Sequence, residues 1–168
     1  AGLTRLRSHS VTGKIAVIYN APWVCNQLSF DNLRLLAEHP RIVGCKDVTP
    51  CLTRAIDWPA VERRRLGFSY LHGNDLVGLS TELGADGFVI SLAVPFPELC
   101  VALWEAVQAD DAERAFRLEA RLCRLARAMT FGPYLACLEA AMRHRGLLGR
   151  MLARPLRSLD EAAARRRS

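Results

Sequence analysis

Four short apolar runs, each followed by a helix-like stretch, fill the first 95 residues and restrict what the chain can fold into. The runs are Lys14–Tyr19, Ile42–Lys46, Leu66–Leu71 and Phe88–Leu92. Each is continuously apolar rather than alternating, the pattern of a strand covered on both faces. Between them lie segments with helical spacing. Ser29 caps a helix over 30–38, whose apolar face holds Leu33, Leu36 and Ala37 and which Pro40 ends. Residues 52–61 form a weaker helix that Pro59 interrupts or restarts, and 76–83 form another with Gly84 as its C-cap. Strands alternating with helices predict a parallel sheet with helices outside.

From Phe96 the pattern changes to helices alone. One spans about 97–108 and a second about 111–129, capped by Asp110 or Asp111. A third spans about 134–145 and ends at Gly146, and a short helix is expected near 159–166. The chain therefore divides into a segment of four strand–helix units at 1–95 and a helical extension at 96–168.

In parallel α/β folds the chemistry gathers beyond the carboxyl ends of the strands. Tyr19, Lys46, the loop Gly73–Asp75 and the stretch after Val89 fall there. Lys46 is one of only two lysines, with Lys14, in an arginine-rich chain. A cation at the end of an apolar strand is costly to bury, and burial favours the neutral amine that attacks carbonyls. The alternative is a lysine whose head reaches solvent. Gly44 leaves room two residues earlier on the same face. Tyr19 ends the preceding strand, where a phenol relays protons or simply anchors the strand end. Gly73 and Gly87 permit either close approach of a ligand or tight turns. Asp47 and Asp75 orient neighbours or, as the more common use, cap helix starts.

Composition narrows the classes further. Of 168 residues 51% are hydrophobic and 24% charged, which is a globular balance. No run of 18 apolar residues occurs, so no membrane span is expected. Six cysteines lie without a CxxC pair, five of them among apolar neighbours, as reduced core thiols do. That points to a cytoplasmic protein without a disulfide framework. His72, Glu82 and Asp86 do not make a metal set, and no phosphate-binding glycine motif is present. The net charge of +6 includes clusters at Arg63–Arg65 and Arg165–Arg167. These read as solvated faces or tails rather than a nucleic-acid surface, since no recognition motif accompanies them.

The segments Val-Ile-Tyr-Asn-Ala-Pro at 17–22, Ile-Val-Gly-Cys-Lys-Asp at 42–47, His-Gly-Asn-Asp at 72–75 and Leu-Gly-Ala-Asp-Gly-Phe-Val-Ile-Ser at 83–91 carry a family resemblance. Together with Arg-Pro-Leu-Arg-Ser-Leu at 154–159, they resemble the dihydrodipicolinate synthase and N-acetylneuraminate lyase family, class I aldolases built on a (β/α)8 barrel. The resemblance implies that these strands are the fifth to eighth of a barrel followed by the family's helical extension. It assigns the Schiff-base lysine to Lys46 and the proton-shuttling tyrosine to Tyr19. Gly73 and Val89 would line the pocket for a pyruvate-like 2-oxo acid. The imine needs no metal or organic cofactor. The implied activity is a lyase or aldolase, with a dehydratase of sugar-derived 2-oxo acids or a non-catalytic truncated member as alternatives. A homodimer or homotetramer is implied for the full-length protein.

Two positions depart from the pattern. Dihydrodipicolinate-forming members carry Arg where this chain has Val24, which points away from that substrate. The family's Asn after the eighth strand is Val94 here. A Gly-Thr-Thr-Gly-Glu-type motif for the substrate carboxylate does not occur. A whole barrel takes about 250 residues. The expectation is therefore a C-terminal portion of a longer lyase, with self-pairing or a complementing chain as alternatives.

Overall fold

The computed structural model describes residues 16–20, 28–51, 54–147, 152 and 156–159; for 16–20 it describes the backbone. Among these residues four strands form one parallel sheet in the order β1-β2-β3-β4. They are β1 (Ala16–Asn20), β2 (Ile42–Asp47), β3 (Ser69–His72) and β4 (Gly87–Phe88). Sequential strands lie side by side, each joined to the next through helix, as right-handed βαβ units do.

The first connection carries α1 (Phe30–Ala37), whose start is capped by Ser29 Oγ accepting from Asn32 N at 3.2 Å. The second contains two short helices, α2 (Arg54–Asp57) and α3 (Ala60–Arg65), separated at Trp58–Pro59. Pro59 thus starts a new turn, its carbonyl accepting from Glu62 and Arg63. The third carries α4 (Val77–Glu82). After α4, Gly84 takes a φ of 101°, and the N–H of Ala85 returns to Ser80 O, a left-handed helix end of the expected kind.

Two strand boundaries differ from expectation. Leu66 ends α3 and the third strand begins only at Ser69, because Gly67 and Phe68 close the helix, with Phe68 N donating to Arg63 O. The fourth strand has two residues rather than five. Beyond Ile90 the chain enters a 3-10 turn at Ser91–Ala93, and Leu92, fully buried, packs with the helices that follow. Burial of Leu92 there outweighs the β propensity of the Phe-Val-Ile run.

The extension consists of α5 (Pro97–Gln108), α6 (Ala112–Ala128) and α7 (Tyr134–His144). Asp111 caps α6 by accepting from Arg114 N, while Asp110 takes the left-handed place between the two helices, with φ 54°. Val77, Ile90, Leu92, Cys100, Leu103, Leu122, Met129 and Cys137 form the main core, which joins the extension to α4 and the end of β4. A second core, of Leu33, Ala37, Cys45, Trp58 and Phe68, sits between β2 and the helices of the first two units. Glu119 of α6 fastens the extension to α4 by accepting from Gly78 N at 2.7 Å at the positive end of that helix. The expected helix near 159–166 lies largely outside the described residues.

Arg63 corrects the reading of its cluster as a solvated face. It is 0% exposed, whereas Arg64 and Arg65 are exposed. Its guanidinium donates to the carbonyls of Ala55, Trp58 and Gly84 and to the Asp86 carboxylate, and lies over the Tyr70 ring. Five donors on a planar fork let one side chain satisfy carbonyls left open at several helix ends.

Candidate active site

The two faces of the sheet differ. On β2 and β3, Cys45, Asp47, Tyr70 and His72 are buried, while Lys46, Ser69 and Leu71 between them are only half-buried. Alternation along a strand sends these two sets to opposite faces. Helices cover the first set. Lys46 belongs to the second.

On the covered face Asp47 is 0% exposed and accepts three hydrogen bonds of 2.9 Å, from Thr49 N, Arg54 Nε and the Tyr70 hydroxyl. Burial pushes its carboxyl up, but the Thr49 and Tyr70 hydrogen bonds and the Arg54 charge outweigh that and hold it below the usual range. Arg54 also donates to Leu28 O at 2.7 Å, which ties the entry to α1 to the end of β2. Burial and the Asp47 carboxylate push the Tyr70 phenol up. Asp47 is therefore the centre of a structural network, not a helix cap. Asp75 is not a cap either, since α4 is entered through Leu76.

On the other face, at the carboxyl ends of the strands, lies a cleft of about 400 Å³. Lys46, Val48, Gly73, Asn74, Asp75, Ser91 and Tyr134 line it. Gly73 is the reason the lysine fits. A β-carbon there would stand 2.7 Å from Val48 Cγ2 and 3.1 Å from Lys46 Cε, so the lysine side chain passes over a position that must lack one. The Gly73 N–H donates to Asp47 O at 2.8 Å and prolongs the β2–β3 ladder into the cleft. Gly44 has a different use from the one expected. A β-carbon there would lie 2.7 Å from Ser69 O, so Gly44 admits the neighbouring strand rather than a ligand.

Tyr19 is the register partner of Lys46 across β1 and β2, with Asn20 opposite Asp47. The two residues predicted to work together thus stand at the same level, each one residue before the end of its strand. Val89 does not line the cleft. It follows β4, its N–H donates to His72 O at 2.8 Å, and its side chain is 43% exposed. Val94, also exposed, lies outside the lining, and Val24 is outside the described residues.

The loop Gly73–Asp75 and the stretch after Val89, singled out in the sequence by their places beyond strand ends, supply Asn74, Asp75 and Ser91 to the lining, whereas Val48 and Tyr134 were not singled out. Asp75 puts a half-buried carboxyl into the cleft, and burial raises its pKa. Tyr134 comes from the start of α7, far along the chain, and no local pattern marks it. Among the described residues no group of three or more His, Cys, Asp or Glu side chains is placed to hold a metal ion. No helix among them is long and apolar enough to cross a membrane.

A parallel sheet flanked by helices, with a lysine-bearing cleft at the carboxyl ends of its strands, defines the α/β class of which barrel lyases are one division. The chain belongs to the dihydrodipicolinate synthetase family, whose model matches residues 8–167. It is 34% identical over 140 residues to an uncharacterised DapA-like lyase of Halobacterium salinarum, an alignment covering 81% of this chain and 44% of that protein. It is also 34% identical over 149 residues to a 4-hydroxy-tetrahydrodipicolinate synthase of Hyphomonas neptunium, covering 88% and 51%. Among solved structures, dihydrodipicolinate synthase from Bacteroides thetaiotaomicron superposes with a TM-score of 0.82 at 25% identity, over 91% of this chain and 54% of that one. A variant of the Sulfolobus solfataricus 2-keto-3-deoxygluconate aldolase superposes with a TM-score of 0.79 at 18% identity, covering 91% and 51%. The chain spans about half the length of the curated relatives it matches.

Proposed function

We propose that this chain supplies the imine-forming half of a lyase or aldolase acting on a pyruvate-like 2-oxo acid, with Lys46 as the Schiff-base residue. The observation that carries the reading is the placing of Lys46. It stands one residue before the end of β2, lines the cleft, and lies over Gly73 on the sheet face whose side chains are half-buried. In the proposed reaction the Lys46 amine attacks the 2-oxo carbon, and the carbonyl oxygen leaves as water. The resulting imine withdraws electrons from the adjacent carbon. A carbon–carbon bond at that position then forms or breaks reversibly, and water finally releases the lysine. Tyr19, the register partner of Lys46, is the proposed proton carrier for the carbinolamine and the substrate. Gly73, and Val89 in the completed barrel, are the proposed contacts for the 2-oxo acid.

The same reading makes β1 to β4 the fifth to eighth strands of a (β/α)8 barrel. Membership of the family, the half-length coverage of relatives and the half-buried Lys46 face support it. A homodimer or homotetramer is proposed for the full-length protein, and Phe116, 76% exposed on α6, is the kind of side chain such an interface would cover.

The test is a substrate panel on the full-length protein, pairing pyruvate with aldehydes and assaying the reverse cleavage by mass spectrometry. Turnover is expected with at least one pair. Lys46→Arg, which keeps the charge but cannot form the imine, is expected to lower it by at least about a thousandfold, and Tyr19→Phe by about a hundredfold. Turnover retained in Lys46→Arg would refute the assignment.

A further inference from the structure

Asn74 joins the two loops that flank Lys46. Its side-chain nitrogen donates to Thr49 O at 2.8 Å, so the loop after β3 is tied to the loop after β2. Val48 and Gly73, the neighbours of these two residues, line the cleft beside Lys46. A carbonyl oxygen only accepts, so the amide atom facing Thr49 is the nitrogen and not the oxygen. The same nitrogen stands 3.2 Å from Nε2 of His72, which is 1% exposed.

These two distances favour one tautomer, even though it leaves a buried Nδ1–H without a hydrogen-bond partner among the described residues. An amide nitrogen has two hydrogens. With one on Thr49 O, the other faces Nε2, which must present its lone pair. The single ring proton of neutral His72 then sits on Nδ1. If Nε2 carried the proton, two donors would oppose each other at 3.2 Å. If the amide were turned over, its oxygen would face Thr49 O at the distance the nitrogen now occupies. Each alternative breaks one of the two contacts. Burial favours the neutral ring, against the pull of the Asp47 carboxylate from the register position beside it on β2.

We infer that His72 is a positioning residue for the Lys46 cleft: as the Nδ1–H tautomer it orients the Asn74 amide, and Asn74 holds the Thr49 and Gly73 loops at the spacing the cleft requires. His72 touches no cleft surface itself and acts through Asn74. The inference rests on the proposed role of Lys46.

Two measurements on the full-length protein test it. Long-range proton–nitrogen correlation in the imidazole rings reads the tautomer directly. His72 is expected as Nδ1–H, the minor form of free histidine in water, and Nε2–H would overturn the inference. The second measurement is the pyruvate concentration giving half-maximal borohydride trapping at Lys46. His72→Leu keeps bulk but offers no acceptor, and is expected to raise that concentration at least about tenfold while the trapped yield at saturation is kept. His72→Gln offers an acceptor oxygen and is expected to stay within about threefold of wild type. Equal effects in the two variants would overturn the positioning role, whether both are silent or both impaired. If His72→Leu fails to fold, the tautomer and His72→Gln decide. Failure of the Lys46 reading is distinguishable, because wild type would then give no adduct at any pyruvate concentration, and the positioning role would fall with it. An adduct in wild type with the wrong tautomer overturns the inference alone.

Discussion

Gly73 shows how tightly single residues set this cleft. Its missing β-carbon is replaced by the Lys46 and Val48 side chains, and a methyl group there would fall inside van der Waals contact with Val48. Gly73→Ala is expected to cost about 1–3 kcal/mol by overpacking and to cut imine formation by about tenfold through displacement of Lys46. Urea denaturation and adduct yield check the two parts. Asp47 carries a separate prediction. Its carboxyl is held below the ordinary range in the folded state. It therefore adds stability that is fully present above the unfolded carboxylate pKa and is lost as pH falls through the lowered folded value. Asp47→Asn is expected to flatten that part of the acid unfolding curve, measured as stability against pH from neutral downward. An unchanged acid slope would contradict it. In the sequence, the positions of Lys46 and Tyr19 near strand ends were legible because rare residue types closed apolar runs. For Asp47 capping was preferred over the orienting role it has, because its partners Arg54 and Tyr70 are seven and 23 residues away and meet it only in the fold.

Among the elements, apolar runs and helical spacing located the strands and most of the helices; the errors fell at their ends and at α3, which runs on to Arg65 beyond the expected segment 52–61. The boundaries that moved were decided by contacts that periodicity does not encode. Leu92 left its strand to join the core of the extension. Arg63, read as one of three exposed arginines, instead binds carbonyls at the ends of α2 and α4. Sequence shows only that three arginines are adjacent; which one turns inward depends on where Gly84 and Asp86 arrive from the next unit. Arg63→Leu is expected to destabilise the chain by about 3–5 kcal/mol, because Asp86 and three carbonyls lose a buried partner. Arg63→Lys should rescue it only in part, since an ammonium lacks the planar fork. By contrast Arg65→Leu, at an exposed position, should change stability by no more than about 0.5 kcal/mol. Thermal melts of the three variants give the comparison.

Among the described residues the sheet has one face whose side chains are buried and one whose side chains are half-buried on β2 and β3, and Lys46 lies on the second. Val89, 43% exposed, belongs to the same description, as a residue the proposed barrel would enclose. The fold class and the family were legible from strand–helix alternation and from the motifs around Tyr19 and Lys46. Tyr134 was not, because only the docking of the helical extension brings α7 to the cleft. The proposed function turns on the chemistry of one amine. The most direct test is borohydride reduction of the full-length protein in the presence of pyruvate, followed by peptide mass mapping. A stable pyruvate-derived adduct is expected on Lys46, absent without pyruvate and absent in Lys46→Arg. An unmodified Lys46 peptide, or an adduct on Lys14 instead, would contradict it.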